Sequence, residues 1–131
     1  MSLFDGSRFI KLKFDTIDIN GDVTSINQMG KQLWITTFKN GAILANFPGR
    51  GDTILSGRQY SGKDGLGDQV SGSCIDNNKD FYCIVPGAGI RKFSREKNVF
   101  ETFLPANLTK YFDIIVMFQD SKGNYWYGTH N

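Results

Sequence analysis

Few side chains in this sequence are placed to do chemistry. His130 is the single histidine and stands one residue from the C-terminal Asn131. A Ser-His-Asp or Cys-His arrangement therefore has one imidazole to draw on, at a chain end, where backbones fray. Cys74 and Cys83 are the two cysteines, too few for a tetrahedral zinc site with so little help. The 13 acidic residues are dispersed, whereas a polysaccharide hydrolase or lyase needs clustered carboxylates or a histidine-held metal. The expectation is no catalytic residue, no metal and no cofactor.

The short motifs fare no better. Asp18-Ile19-Asn20-Gly21-Asp22 has Asp, Asn and Asp at alternate positions, like the start of a calcium loop. The twelfth position of such a loop is Met29 rather than Glu, and the Gly is misplaced, so a turn between strands is expected. Arg50-Gly51-Asp52 spells a cell-adhesion tripeptide, but tripeptides of this kind arise easily in a chain with 15 glycines. Gly87-Ala88-Gly89 lacks the strand-to-helix setting of a dinucleotide loop. Asn107-Leu108-Thr109 is a glycosylation pattern that has meaning only in a eukaryotic secretory host.

The elements that must position any site are strands. Apolar residues alternate with polar ones, or form short β-rich runs, over 9–14, 33–38, 81–85 and 125–129. One short stretch after Pro105, over 106–112, could form a helix. Between the runs lie the turn signals Asn20-Gly21, Asn40-Gly41, Pro48-Gly49, Asp64-Gly65, Pro86-Gly87 and Lys122-Gly123-Asn124. The chain has 131 residues, 40% of them apolar, and a net charge of +2. Its longest apolar run, over 114–118, is far short of the ~20 residues that cross a bilayer. No secretory signal follows the start. The mildly basic balance lacks the footprint of a nucleic-acid binder. Its densest cluster, Arg91, Lys92, Arg95 and Lys97, reads as a solvated strand face and turn, so neither nucleic acid nor membrane is expected as a partner.

One pattern recurs. An apolar residue, two spacers and a small or apolar residue lead into a polar turn, then an aromatic within a β run, then a Gly that opens another strand. The copies start at Val23, Val70 and Ile114. Their aromatics are Trp34, Tyr82 and Trp126, spaced by 48 and 44 residues, and Gly41 and Gly89 follow in the first two. A period in the mid-forties with room for four short strands is that of a β-propeller blade. Such a unit cannot cover its own two apolar faces and must pack on neighbours. The chain is thus expected to be all-β, about two and a half four-stranded blades of a partial propeller. It divides into the end of one blade over 7–19, a blade over 22–66, a blade over 69–109 and the first half of a blade over 113–129. Cys74 and Cys83 flank the turn of one hairpin. If its two-residue tip is Asn78-Lys79 they lie directly opposite, within range of a disulfide; two buried thiols are the other reading.

The third copy, Asp120-Ser121-Lys122-Gly123-Asn124-Tyr125-Trp126-Tyr127-Gly128-Thr129, resembles the repeat of two-component regulator propellers. Asp120, Gly123, Trp126, Gly128 and Thr129 match that repeat. The second copy keeps Asp76, has Tyr82 for Trp, and regains the pattern at Gly89-Ile90. The first keeps Leu33-Trp34-Ile35 and Thr37 and loses the Asp. The resemblance spans about Val23 to Thr129 and rests on scaffold residues. It implies the extracytoplasmic, periplasmic sensor propeller of a membrane-anchored hybrid histidine kinase, responding to a glycan-derived ligand. Kinase, receiver and DNA-binding signatures are absent from this sequence.

In such a fold ligand contacts are sought in loops near the central opening. The candidates are Lys39 and Asn40, and the long 58–69 segment with Arg58, Tyr60, Lys63, Asp64 and Asp68. The aromatics Trp34, Tyr60, Tyr82, Tyr111, Tyr125, Trp126 and Tyr127 could stack on sugars if exposed, but on strands at repeat positions core is the expected place for them. A protein-binding scaffold and a propeller lyase or hydrolase are the alternatives. Because a closed propeller needs at least four blades, the partner expected in every case is the rest of a ring or copies of the chain that complete one.

Overall fold

The computed structural model describes residues 1–19, 21–46, 51, 53–110 and 113–130. The turn signals at Asn20-Gly21 and Pro48-Gly49, the tripeptide at 50–52, Tyr111 and the central Asn of the 18–22 motif lie wholly or partly outside these residues.

The fold is all-β, as the periodicity implies. β1 (Ser2–Phe4) and β2 (Phe9–Lys11) form an antiparallel hairpin, a pairing that the sequence reading missed by placing the first strand at Phe9. β3 (Lys13–Phe14) runs parallel to the short β7 (Ile54–Leu55). β4 (Val23–Met29), β5 (Gln32–Thr37), β6 (Gly41–Asn46) and β8 (Gly57–Tyr60) make the first four-stranded antiparallel meander, in that spatial order. β9 (Gly72–Ile75), β10 (Phe81–Val85), β11 (Gly89–Ser94) and β12 (Val99–Pro105) make the second. A one-turn helix, α1 (Ala106–Thr109), leads into the hairpin of β13 (Ile114–Gln119) and β14 (Tyr125–Thr129).

The alternation of side chains along the second strand of each unit builds the core. On β5, Leu33 and Ile35 face a cluster closed by Phe14, Ile17, Ile19 and Val23, while Trp34 faces the second sheet. On β10, Phe81, Cys83 and Val85 face back toward Trp34, while Tyr82 and Ile84 face the β13–β14 hairpin. On β14, Tyr125 and Tyr127 face back toward Tyr82, while Trp126 points away and is 62% exposed. Adjacent residues of one strand thus close two different seams, because successive side chains leave a sheet on opposite faces. The Trp34 seam is the larger: its ring stacks on Phe81 and meets Phe93 and Phe100 edge-on.

Gly41 and Gly89 open β6 and β11 with φ of +70° and +88°. A Cβ at either would stand 2.1 Å from a carbonyl oxygen, of Tyr60 or of Leu104. Both are therefore fixed by backbone sterics.

Two expectations fail. The hairpin tip between β9 and β10 is five residues, not two: Ile75 pairs with Phe81, so Cys74 lies opposite Tyr82 and Cys83 opposite Ser73. The shift of one residue sends the two thiols to opposite faces of the sheet, and both are free and buried. The 58–69 segment is also not one long loop. Arg58 and Tyr60 lie on β8, and the remainder is tucked in through a 3-10 turn over Gly62–Asp64 with Leu66 and Val70 buried.

Candidate ligand cleft and its supporting seams

The Asp of the repeat organises the hairpin tip. One oxygen of Asp76 accepts hydrogen bonds from the N–H groups of Asn78 and Asp80 at 2.9 and 2.8 Å. Its other oxygen accepts from the phenols of Tyr82 and Tyr125, each at 3.0 Å. Asp120 repeats the scheme with Lys122 and Asn124 at 2.9 Å, and with the Trp126 indole N–H at 2.8 Å. A carboxylate with two oxygens and several lone pairs can therefore form the turn and hold the aromatic six residues on. In the first copy a tight Gly30-Lys31 turn replaces this tip, Met29 stands at its base, and the buried Trp34 indole N–H has no hydrogen-bond partner among the described residues.

These contacts set the charges. Burial would raise the Asp76 carboxyl, but hydrogen bonds from the Asp80 N–H, both phenols and the Asn78 N–H together hold it below its ordinary value. Burial pushes the Tyr82 phenol up to about 12 and raises Tyr125 as well. The Trp126 and Asn124 donors hold Asp120 at about 2. The cluster is a knot between the second sheet and the hairpin. Asn77 strengthens it by donating its side-chain amide to the Asp120 carbonyl and its backbone N–H to Gln119 Oε1, each at 2.8 Å.

The first and second sheets are joined along their edge strands β4 and β9 by polar side chains. Thr24 donates to the Val70 carbonyl at 3.0 Å, Asn27 donates to Ser73 Oγ at 2.7 Å, and Ser25 hydrogen-bonds Ser73. At one end of this seam a cleft of about 640 Å³ opens beside the β10–β11 turn. Phe38, Ile84, Pro86 and Ile114 give it apolar walls, and Ser71, Thr109, Lys110, Asp113 and His130 supply polar groups. The His130 N–H donates to the Asp113 carbonyl at 3.1 Å, which fastens the end of the β13–β14 hairpin. A cleft of mixed walls with a few hydroxyl, carboxylate and imidazole groups suits a polar small molecule with apolar patches. Among the described residues, no group of three or more His, Cys, Asp or Glu could hold a metal ion.

The residues expected to meet ligand occupy two other places. Lys39 is exposed and Asn40 half-buried in the β5–β6 turn, where the Asn40 carbonyl accepts from Gln59 at 2.8 Å. Asp68 reaches the same turn through its carbonyl, which accepts the Gly41 N–H at 2.8 Å. Arg58, Tyr60 and Asp64 form a second group. Arg58 lies over the Tyr60 ring and 3.5 Å from the buried Asp64 carboxylate, which also accepts the Ser61 N–H. Lys63 sits exposed on the 3-10 turn beside it. The polar residues of the cleft carry no pattern in the sequence, because they meet only when the β10–β11 turn, the segment after α1 and the end of β14 come together. The basic cluster is spent locally: Lys92 pairs with Asp80, Lys97 with Glu101, Arg95 with the Lys79 carbonyl, and Arg91 with Thr102.

No protein-family model and no curated protein matches the chain. The solved structures that share its fold include the following two. Both are extracellular domains of BT4673 from B. thetaiotaomicron, described in one as a one-component system and in the other as a hybrid two-component system. The chain is 20% identical to the first over 92% of its length with a TM-score of 0.72, and 21% identical to the second over 93% with a TM-score of 0.74. It spans 17% and 18% of the length of those chains.

Proposed function

We propose that this chain is a segment of an extracytoplasmic sensor domain, built as part of a ring of four-stranded blades, and that it binds a ligand without transforming it. The observation that carries this reading is the superposition of nearly the whole chain on part of the extracellular domain of a signalling protein. In the proposed mechanism the ligand shifts the packing of the sheets, and a kinase elsewhere in the parent protein reads the shift.

The ligand we assign to the cleft is derived from a glycan. Phe38, Pro86 and Ile114 offer surfaces for the apolar face of a sugar ring, and Ser71, Thr109, Asp113 and His130 offer partners for its hydroxyls. The test is titration of the chain with a panel of oligosaccharides, followed by calorimetry and by an assay for reducing ends. Saturable binding that Phe38→Ala and Ser71→Ala weaken, without release of reducing ends, supports the proposal. Release of reducing ends replaces it with a hydrolase or lyase. Absence of binding by every sugar, in a folded chain, removes the glycan.

A further inference from the structure

The Asp that serves the repeat aromatic stands at one register position. Tyr82 lies opposite Cys74, and Asp76 comes two residues after Cys74. Trp126 lies opposite Phe118, and Asp120 comes two residues after Phe118. Residues two apart on a strand share a face, so each carboxylate meets its ring: Asp76 accepts the Tyr82 phenol and Asp120 the Trp126 indole N–H. In the first sheet Trp34 lies opposite Asn27, and the residue two on is Met29. Met29 thus holds the place of the Asp. It packs, half-buried, against the cluster that contains Trp34. A thioether is a weak acceptor, and the fully buried Trp34 indole N–H has no hydrogen-bond partner among the described residues. A second donor is aimed at the same sulfur. The Arg95 guanidinium, from the turn after β11, lies 3.7 Å from Met29 Sδ and also donates to the Lys79 carbonyl.

We propose that Met29 is an oxidation site for peroxide, and that its sulfoxide supplies the acceptor that an Asp supplies in the other two copies. The sulfur attacks one peroxide oxygen and the O–O bond breaks. The sulfur is oxidised by two electrons, and the proton of the transferred oxygen passes to the departing hydroxide, which leaves as water. The product carries a polar S–O group on a flexible side chain. Its oxygen accepts from Arg95, which already faces the sulfur, and from the Trp34 indole N–H, as Asp120 accepts from Trp126 at the same register. The first sheet is then tied to the second at this tip, as Asp76 ties the second sheet to the hairpin through Tyr125. A sulfoxide placed in a core ordinarily disrupts it. At Met29 it satisfies a buried donor whose missing bond costs stability. Met117 is only 4% exposed and is shielded from the same oxidant. The proposal uses no residue of the cleft and stands or falls separately from the sugar reading.

The test is treatment of the folded full chain with hydrogen peroxide, with peptide mass spectrometry to place the oxygen. Met29 should gain one oxygen before Met117 does. Trp34 and Trp126 are the two tryptophans, so a proton–nitrogen correlation spectrum holds two indole N–H signals, and Trp34→Phe identifies the one from Trp34. That signal should shift and exchange more slowly after oxidation, and Met29→Leu should abolish the change. The urea midpoint should rise on oxidation in the parent chain, rise less in Arg95→Ala, and not rise in Trp34→Phe, which lacks the indole donor. Oxidation of Met117 ahead of Met29 overturns the proposal. So does a Trp34 signal that stays in place once Met29 is oxidised, or a midpoint that falls equally in the parent chain and in Trp34→Phe.

Discussion

The Trp34 indole stacks on the Phe81 ring with centroids 4.3 Å apart and 8° between their planes. Each ring is nearly or wholly buried, and each comes from the second strand of a different sheet. Offset stacking at this distance adds to the area the two rings bury.

Trp34→Ala should therefore destabilise the chain by about 3–5 kcal/mol, read as a lower urea midpoint at unchanged m-value. Trp34→Phe should be much milder, since it keeps a ring against Phe81 and removes an indole N–H that has no partner among the described residues. A larger loss from Phe than from Ala would overturn this account of the seam.

Asp76→Ala removes the acceptor of two turn N–H groups and two phenols at once. A loss of about 2–4 kcal/mol is expected, with Asp76→Asn losing less because one oxygen remains. The coupling to Tyr125 is measured by a double-mutant cycle with Tyr125→Phe. An additive pair would show that the knot between sheet and hairpin contributes nothing.

The pH dependence follows from the same groups. Asp76 and Asp120 have carboxyls below the unfolded value of about 3.9. Between the folded and unfolded values the unfolded chain binds more protons. Their stabilisation is thus complete above the unfolded value and is lost as pH falls, for Asp120 through about 2. Tyr82 is raised to about 12. Its stabilisation is complete below about 10 and is lost as pH rises toward the folded value. Chemical unfolding across these windows should show both declines, and Asp120→Asn should flatten the acidic one.

Gly89→Ala should destabilise by at least about 2 kcal/mol, since it combines a positive φ with a carbonyl 2.1 Å from the new Cβ. Gly87→Ala is the control. It has a φ of +74° but nothing within 4 Å, so it carries the backbone term of about 1 kcal/mol alone. Equal melting temperatures of the two variants would contradict the close approach.

Cys74 and Cys83 should react with a thiol reagent only after unfolding, and two thiols should be found without prior reduction. Burial raises both thiols, Cys83 well above its ordinary value, and this suppresses the reactive thiolate in the native chain. A melting temperature that falls on adding reductant would reinstate the bridge.

The strands were legible because alternation and turn residues are local signals. The aromatics at 34, 82 and 126 marked equivalent places because they share a strand position. What escaped was set by partners distant in sequence. The short β1 and the parallel pair β3–β7 have too few residues to show a period. The tip between β9 and β10 was misjudged because its length depends on Asp76 collecting the N–H groups of Asn78 and Asp80. Arg58 and Tyr60 looked like loop residues beside the glycines, yet β6 recruits them into a strand. The polar groups of the cleft are spread over the 71–130 region, so no window contains them.

The placement of Trp34, Phe81, Tyr82, Tyr125 and Trp126 on alternate faces has a consequence for how such chains lengthen. Each contact between sheets is written half in one repeat and half in the next. A duplication or deletion of one whole period keeps every rearward ring opposite a forward one, wherever the break falls in the gene. A break that gains or loses an odd residue within the strand inverts its faces and unmatches two contacts at once. Insertions and deletions are thus expected to be tolerated in the connections rather than within a second strand.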